Sequence, residues 1–148
     1  MKRCKRKRGF TLLEIIIVII IIGVLATLGF TQYGRMVERS RGSEARAICG
    51  DIRKFAMAHY MENGSLQSPA FSAALANIGA SGDQIPSACR TSHYFRYGIV
   101  VTGASSLTIT ATRCTAGGKT PDNAAATTYV LTSDLAAGTD TVGGTGGY

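Results

Sequence analysis

The side chains best placed to do chemistry meet at one junction, Arg8-Gly9-Phe10-Thr11-Leu12-Leu13-Glu14, where a basic leader gives way to an aliphatic run holding a single carboxylate. That junction reads as a cleavage site feeding a membrane helix. Glu14 is the chemically demanding residue, because a carboxylate inside a bilayer costs at least about 2.5 kcal/mol and so requires a partner, a proton or a path to the headgroups. Elsewhere the reactive residue types are scattered. His59 and His93 lie far apart with no Ser, Cys or Asp constellation around either, no CxxC or His/Cys cluster suggests a metal, and no phosphate-binding loop is present. The chain reads as a protein that is not an enzyme and needs no cofactor.

Composition sets limits on the elements around that junction. The 148 residues suit one modest domain plus one membrane-inserting element. The formal charge is +7, yet Lys2, Arg3, Lys5, Arg6, Lys7 and Arg8 all precede Phe10. Without those six, ten basic side chains face nine acidic ones, which leaves +1 and no general nucleic-acid footprint. From Phe10 to Tyr33 only Glu14 is a charged residue, and about 24 residues at about 1.5 Å each span about 36 Å, enough for a bilayer core of about 30 Å. A secretory signal would place its cleavage site after the apolar run, whereas this one precedes it. The leader cations outweigh Arg35, Arg39 and Arg41, which Glu38 partly offsets, so the N-terminus should stay cytoplasmic and the rest emerge outside.

Beyond the apolar run, Val37, Ala45, Ile48, Cys49, Ile52, Phe55, Ala56, His59 and Tyr60 recur at helical spacing with charged residues between them. Asn63-Gly64 supplies a left-handed stop, so one helix is expected from Phe10 to Glu62. Asn63-Gly64-Ser65 also matches a glycosylation acceptor, but a helix cap explains it better. Residues 66–88 read as a turn-rich connection with a short helix at Ser72 to Ile78. Alternation over Tyr94 to Val101 and Leu107 to Arg113 predicts an antiparallel hairpin, with a third strand at Thr127 to Thr132. In the first of these, Phe95, Tyr97, Ile99 and Val101 face a core and leave Tyr94 and Arg96 outside. Residues 138–148 read as a Gly/Thr-rich tail, flexible or ordered on contact. Three short strands need a covering element, and the helix between Ala45 and Tyr60 offers one.

Gly9 followed by Phe10, the Thr-Leu-Leu run, Glu14 and an aliphatic helix resemble the type IV pilin superfamily, which includes the pseudopilins of type II secretion. The resemblance is specific over residues 1 to about 65 and architectural beyond. It implies an α+β fold in which a long N-terminal helix, membrane-spanning in its first half, packs through its second half on a small antiparallel sheet. The corresponding organisation is a cleaved leader at 1–9, a transmembrane and filament-core helix at 10–33, its amphipathic continuation at 34–64, and an extracytoplasmic sheet region at 65–148. It further implies cleavage by a prepilin peptidase between Gly9 and Phe10 and N-methylation of Phe10. The new amine would lie one helical turn from Glu14 and could pair with it within the chain or across to an adjacent subunit, setting axial register. The partners so implied are other pilin subunits, an inner-membrane platform with a cytoplasmic ATPase, and lipid before assembly, with the filament ending as a surface pilus or a periplasmic pseudopilus. The chain departs from the pattern at Thr31, where many pilins carry Pro, and it offers Gly23 and Gly29 for local unwinding on assembly.

Cys4 lies in the leader and faces the reducing cytoplasm. Cys49, Cys89 and Cys114 would occupy an oxidising compartment, where one bridge and one remaining thiol are the simplest outcome. Cys89 with Cys114 is favoured because the two flank the hairpin, while Cys49 could bridge to either. Several extracytoplasmic cysteines favour a pilin over a pseudopilin. Asp134 and Asp140 offer oxygen ligands for Ca²⁺ of the kind major pseudopilins bind, although such carboxylates more often solubilise a turn. His93-Tyr94-Phe95-Arg96-Tyr97 could stack on bases or bind a glycan, and Arg90, Arg96, Arg113 and Lys119 would form the patch needed for DNA contact. The residues also fit a simple membrane-anchored extracytoplasmic binding domain, in which Phe10 to Tyr33 only tethers.

Overall fold

Thr11 starts the helix and Gly64 stops it. In a computed structural model, which describes residues 10–71 and 85–146, helix α1 runs Leu12–Asn63 without interruption at Gly23, Gly29 or Thr31. The Gly64 N–H donates to Tyr60 O at 2.7 Å with φ at 70°, a left-handed terminus that glycine adopts without steric cost. Asn63 Nδ2 donates to His59 O at 3.1 Å, so the acceptor-like Asn63 works as part of this cap. The short helix expected at Ser72 to Ile78 lies outside the described residues. A helical turn begins before it at residues 69–71, where Phe71 N–H donates to Ser68 Oγ at 3.1 Å.

The chain divides into two units, Met1–Glu38 and Arg39–Tyr148, each taken by itself. In the first, every residue from 10 to 36 is exposed, and the aliphatic side chains cover all sides of the helix. In the second, α1 buries Gly42, Ala45, Cys49, Ile52 and Ala56, a stripe at alternating spacings of three and four. Those small side chains let the helix approach a four-stranded antiparallel meander made of β1 (Phe95–Val101), β2 (Ser106–Arg113), β3 (Thr128–Asp134) and β4 (Thr139–Thr145). The core joins the helix stripe to Phe95, Tyr97, Leu107, Ile109, Ala111, Tyr129 and Leu131, the alternate residues of three strands. Phe55, expected on the packed face, is 38% exposed and instead stacks on Phe71 with ring centroids 6.1 Å apart.

The segment expected to be a tail is largely strand. β4 pairs with β3 along its length, from Thr128↔Thr145 to Asp134↔Thr139. Its composition hid it, since Gly143 and Gly144 have no strand propensity. Gly144 has a specific reason to be there: its φ is 127°, and a Cβ would collide with Thr128 O across the ladder. A polar contact joins β4 to the helix. Arg53 Nε–H donates to Asp140 Oδ1 at 2.7 Å and to Ser133 Oγ at 3.1 Å, and Ser133 Oγ–H donates to the same Asp140 oxygen at 2.6 Å. The Ser133 hydroxyl first, then the Arg53 guanidinium, hold Asp140 below the ordinary carboxylate range.

Cys89 and Cys114 form a disulfide with Cα atoms 5.8 Å apart, and Cys49 is a free thiol with no exposed surface. Burial pushes the Cys49 thiol up to about 12. Replacing Cys89 and Cys114 together with Ser should lower unfolding stability by about 3 kcal/mol, read from denaturant melts, because the bridge closes a loop between residues 25 apart. In the native protein the Cys49 peptide should stay unlabelled by iodoacetamide until denaturant is added.

A depressed carboxylate contributes stability above its unfolded-state pKa and loses it as pH falls through its folded-state value. Asp140→Asn should therefore speed amide exchange across Thr139–Thr145 relative to β2 at neutral pH. The gap in melting temperature between wild type and this variant should close as pH drops below the usual carboxylate range.

Candidate functional site

The N-terminal junction is organised by a reciprocal pair. Glu14 N–H donates to Thr11 Oγ1, while Thr11 N–H donates back to Glu14 Oε2, each at a long 3.3 Å. The Thr11 hydroxyl also reaches Glu14 Oε2 at 3.3 Å. This is a capping box, in which Thr11 is the N-cap and Glu14 lies three residues on. It satisfies two of the amide groups that a helix start leaves without intrahelical partners, which matters most where no water can replace them. Thr11 was the residue that reading by charge alone passed over, although the Thr-x-x-Glu spacing ahead of an apolar run is a recognisable signal. Of the processing pair, Phe10 is exposed at the start of the described chain, and Gly9 lies outside the described residues.

After this cap the helix holds no further acidic or basic side chain until Arg35. Thr27 and Thr31 turn their hydroxyls onto the carbonyls of Val24 at 2.8 Å and Leu28 at 3.0 Å, so their polar groups are internally bonded. Over an 18-residue window the mean hydropathy reaches 2.9, and among the described residues α1 is the one helix long and apolar enough to cross a membrane.

The other candidates lie in the second unit, where His93, Tyr94, Arg113 and Lys119 come together while His59, Asp134 and Asp140 sit apart from them. Arg113 is 1% exposed, which removes it from any surface patch with Arg90, Arg96 and Lys119. Its guanidinium donates to Tyr94 O at 3.1 Å and Pro121 O at 2.7 Å and stacks 4.8 Å from the Tyr94 ring centroid. Tyr94, expected outside, is half-buried for that reason, with Lys119 Nζ at 5.0 Å and the Arg41 guanidinium at 5.4 Å from the same ring. Glu44 Oε1 accepts Tyr94 N–H at 2.9 Å and lies 3.5 Å from His93 Nδ1. His59 sits apart from this cluster, bonded to Ser68 Oγ at 2.9 Å.

Asp134 and Asp140 have separate duties. Asp134 Oδ1 accepts from Ser105 Oγ at 3.0 Å and from the Ala136 and Ala137 amides at 3.1 and 3.3 Å, closing the turn between β3 and β4. The Ala137 amide and then the Ser105 hydroxyl pull its carboxyl below the usual range. Asp140 is held by Arg53 and Ser133, as described above. Among the described residues no three His, Cys, Asp or Glu side chains cluster as a metal would require.

Comparison with known proteins points to the same junction. Residues 4–30 match the family described as the prokaryotic N-terminal methylation motif. The chain is 40% identical over 58 residues to fimbrial protein EcpC of Eikenella corrodens, covering 39% of this chain and 38% of that one. It is 40% identical over 47 residues to a type IV major fimbrial protein FimA of Dichelobacter nodosus, covering 32% of this chain and 30% of the relative. Another FimA of that organism is 30% identical over 73 residues, 49% of this chain and 45% of the relative. The chain thus aligns with less than half the length of each of these relatives. No solved structure matches at a significant level. Methylation motif, fimbrial relatives, long apolar helix and small antiparallel sheet together make this chain a type IV pilin-like protein.

Proposed function

We propose that the chain is a structural subunit of a type IV pilus-like filament and not an enzyme. The match to the methylation motif over residues 4–30, which takes in the first turns of a helix exposed and aliphatic on every side, supports this reading most directly. A prepilin peptidase cuts between Gly9 and Phe10, and Phe10 becomes the N-methylated first residue. Before assembly the helix is held in the inner membrane with the leader in the cytoplasm, as the six leader cations favour. An assembly platform with a cytoplasmic ATPase then moves subunits from lipid into a bundle of like helices, where apolar surface meets apolar surface again. The fimbrial names of the relatives favour a surface pilus over a secretion pseudopilus.

Glu14 is the assembly residue in this scheme. Before cleavage its carboxylate serves the capping box with Thr11. Cleavage creates an amine at Phe10, and a carboxylate already at the helix start is placed to take an amine from an adjacent subunit. A charge-assisted bond of that kind is worth about 1.5–3 kcal/mol, so it fixes the axial position of each incoming subunit.

Glu14→Leu in the native host should give protein with Phe10 at its N-terminus in the membrane fraction but at least about tenfold less sheared filament. Normal filament yield from that variant would remove Glu14 from the assembly step. Retention of the leader in wild-type protein would remove the whole scheme in favour of a simple anchor.

A further inference from the structure

Strand β1 contains a glycine that the fold does not require. Gly98 stands mid-strand opposite Thr110, outside the left-handed region, and a Cβ added to it would meet only Thr110 O, at 4.0 Å. Glycine inside a strand weakens it and often marks a close approach by a ligand or another backbone. Among the described residues no backbone comes closer than that ordinary contact with Thr110 O. Over Gly98 there is instead a dent of about 260 Å³ walled by Ser87, Arg96, Thr110 and Thr112. Because Phe95, Tyr97, Ile109 and Ala111 turn into the core, Arg96, Thr110 and Thr112 turn to the opposite face of the sheet. Arg96 stands across from Thr112 in the ladder, and Tyr97 N–H donates to Pro86 O at 2.8 Å, which fixes Ser87 beside the strand.

The chemistry of the dent is one cation among hydroxyls. Arg96 is exposed, and among the described residues no carboxylate pairs with it. Its planar fork matches a carboxylate through two parallel hydrogen bonds. Three hydroxyls, from Ser87, Thr110 and Thr112, each donate and accept. That is more than one bound carboxylate can use, and it suits the neighbouring hydroxyls of a sugar ring. Small-molecule pockets are about 300–1,000 Å³, so this dent admits a single ring.

We propose that the dent binds a carboxylate-bearing sugar residue, with Arg96 on the carboxylate, the Ser87, Thr110 and Thr112 hydroxyls on the ring, and Gly98 as the floor. An exposed ion pair contributes little by itself, so single-site affinity is weak. Repetition along a filament would multiply it; that gain rests on the filament reading, while the site does not.

The test is an NMR titration of the isotope-labelled full-length protein in detergent micelles, which needs no filament. The probes are methyl β-glucuronide, methyl β-glucoside and sodium acetate. The proposal expects saturable shifts at the Arg96, Gly98 and Thr110 amides with the glucuronide, and binding about three- to fivefold weaker for each of the other two. Arg96→Gln should weaken the glucuronide by a similar factor. Gly98→Val should abolish its binding while the remaining spectrum is retained, since the strand has room for the side chain. Equal response to glucoside and glucuronide would overturn the role of Arg96. Equal response to acetate would overturn the sugar and leave a plain carboxylate site, fit for an acidic side chain of a second copy. No saturable shift with the glucuronide, or unchanged binding by a folded Gly98→Val, would overturn the site itself.

Discussion

A helix that is aliphatic on every side has no stable place in water, and this constraint governs the first unit of the chain. Every residue from 10 to 36 is exposed when the chain stands alone. Such a surface is at rest only in lipid or among other apolar helices. The same requirement makes the start of the helix delicate. Orphan amides and a carboxylate would both be costly in a medium without water, and the Thr11–Glu14 box uses each to satisfy the other. One residue pair thereby makes a charged side chain compatible with a membrane segment. The exposed Phe10 adjoining it is where a new amine would arise.

The second unit answers a different requirement, which is to be a stable domain on a small core. Four small or medium side chains of α1, Ala45, Cys49, Ile52 and Ala56, meet the inward residues of three strands. β4 lies beyond that core, with every residue exposed, and is held by backbone pairing and by the Arg53–Asp140–Ser133 contact. Two further ties fix the other end of the sheet: the Cys89–Cys114 bridge, and the buried Arg113 guanidinium clasping the carbonyls of Tyr94 and Pro121. With the edges held by polar and covalent links, the outer sheet face carries threonine hydroxyls, Arg96 and the exposed Val100.

Much of this was legible in the residues because the signals were local. The left-handed stop at Gly64, the alternation of β1 and β2 and the helical spacing of Ala45, Cys49, Ile52 and Ala56 each follow from a short window of sequence. What escaped depended on contacts between distant positions. β4 has the composition of a linker, and only its ladder with β3 and the contact of Asp140 with Arg53, 87 residues away, make it a strand. Arg113 looked like surface charge because arginine usually is, yet two carbonyls and two rings receive it in the interior. The hydrogen-bonding role of Thr11 is legible in the Thr-x-x-Glu spacing ahead of an apolar run, which is local as well.

The central claim is that the junction before Phe10 converts a membrane-stored chain into a filament subunit. Mass spectrometry of the N-terminal peptide from filaments sheared off the native cell tests it most directly. The account predicts a peptide beginning at Phe10 with one added methyl group on its amine. Filaments whose subunits retain Met1–Gly9, or processed protein found only within the envelope with none in surface fibres, would contradict it.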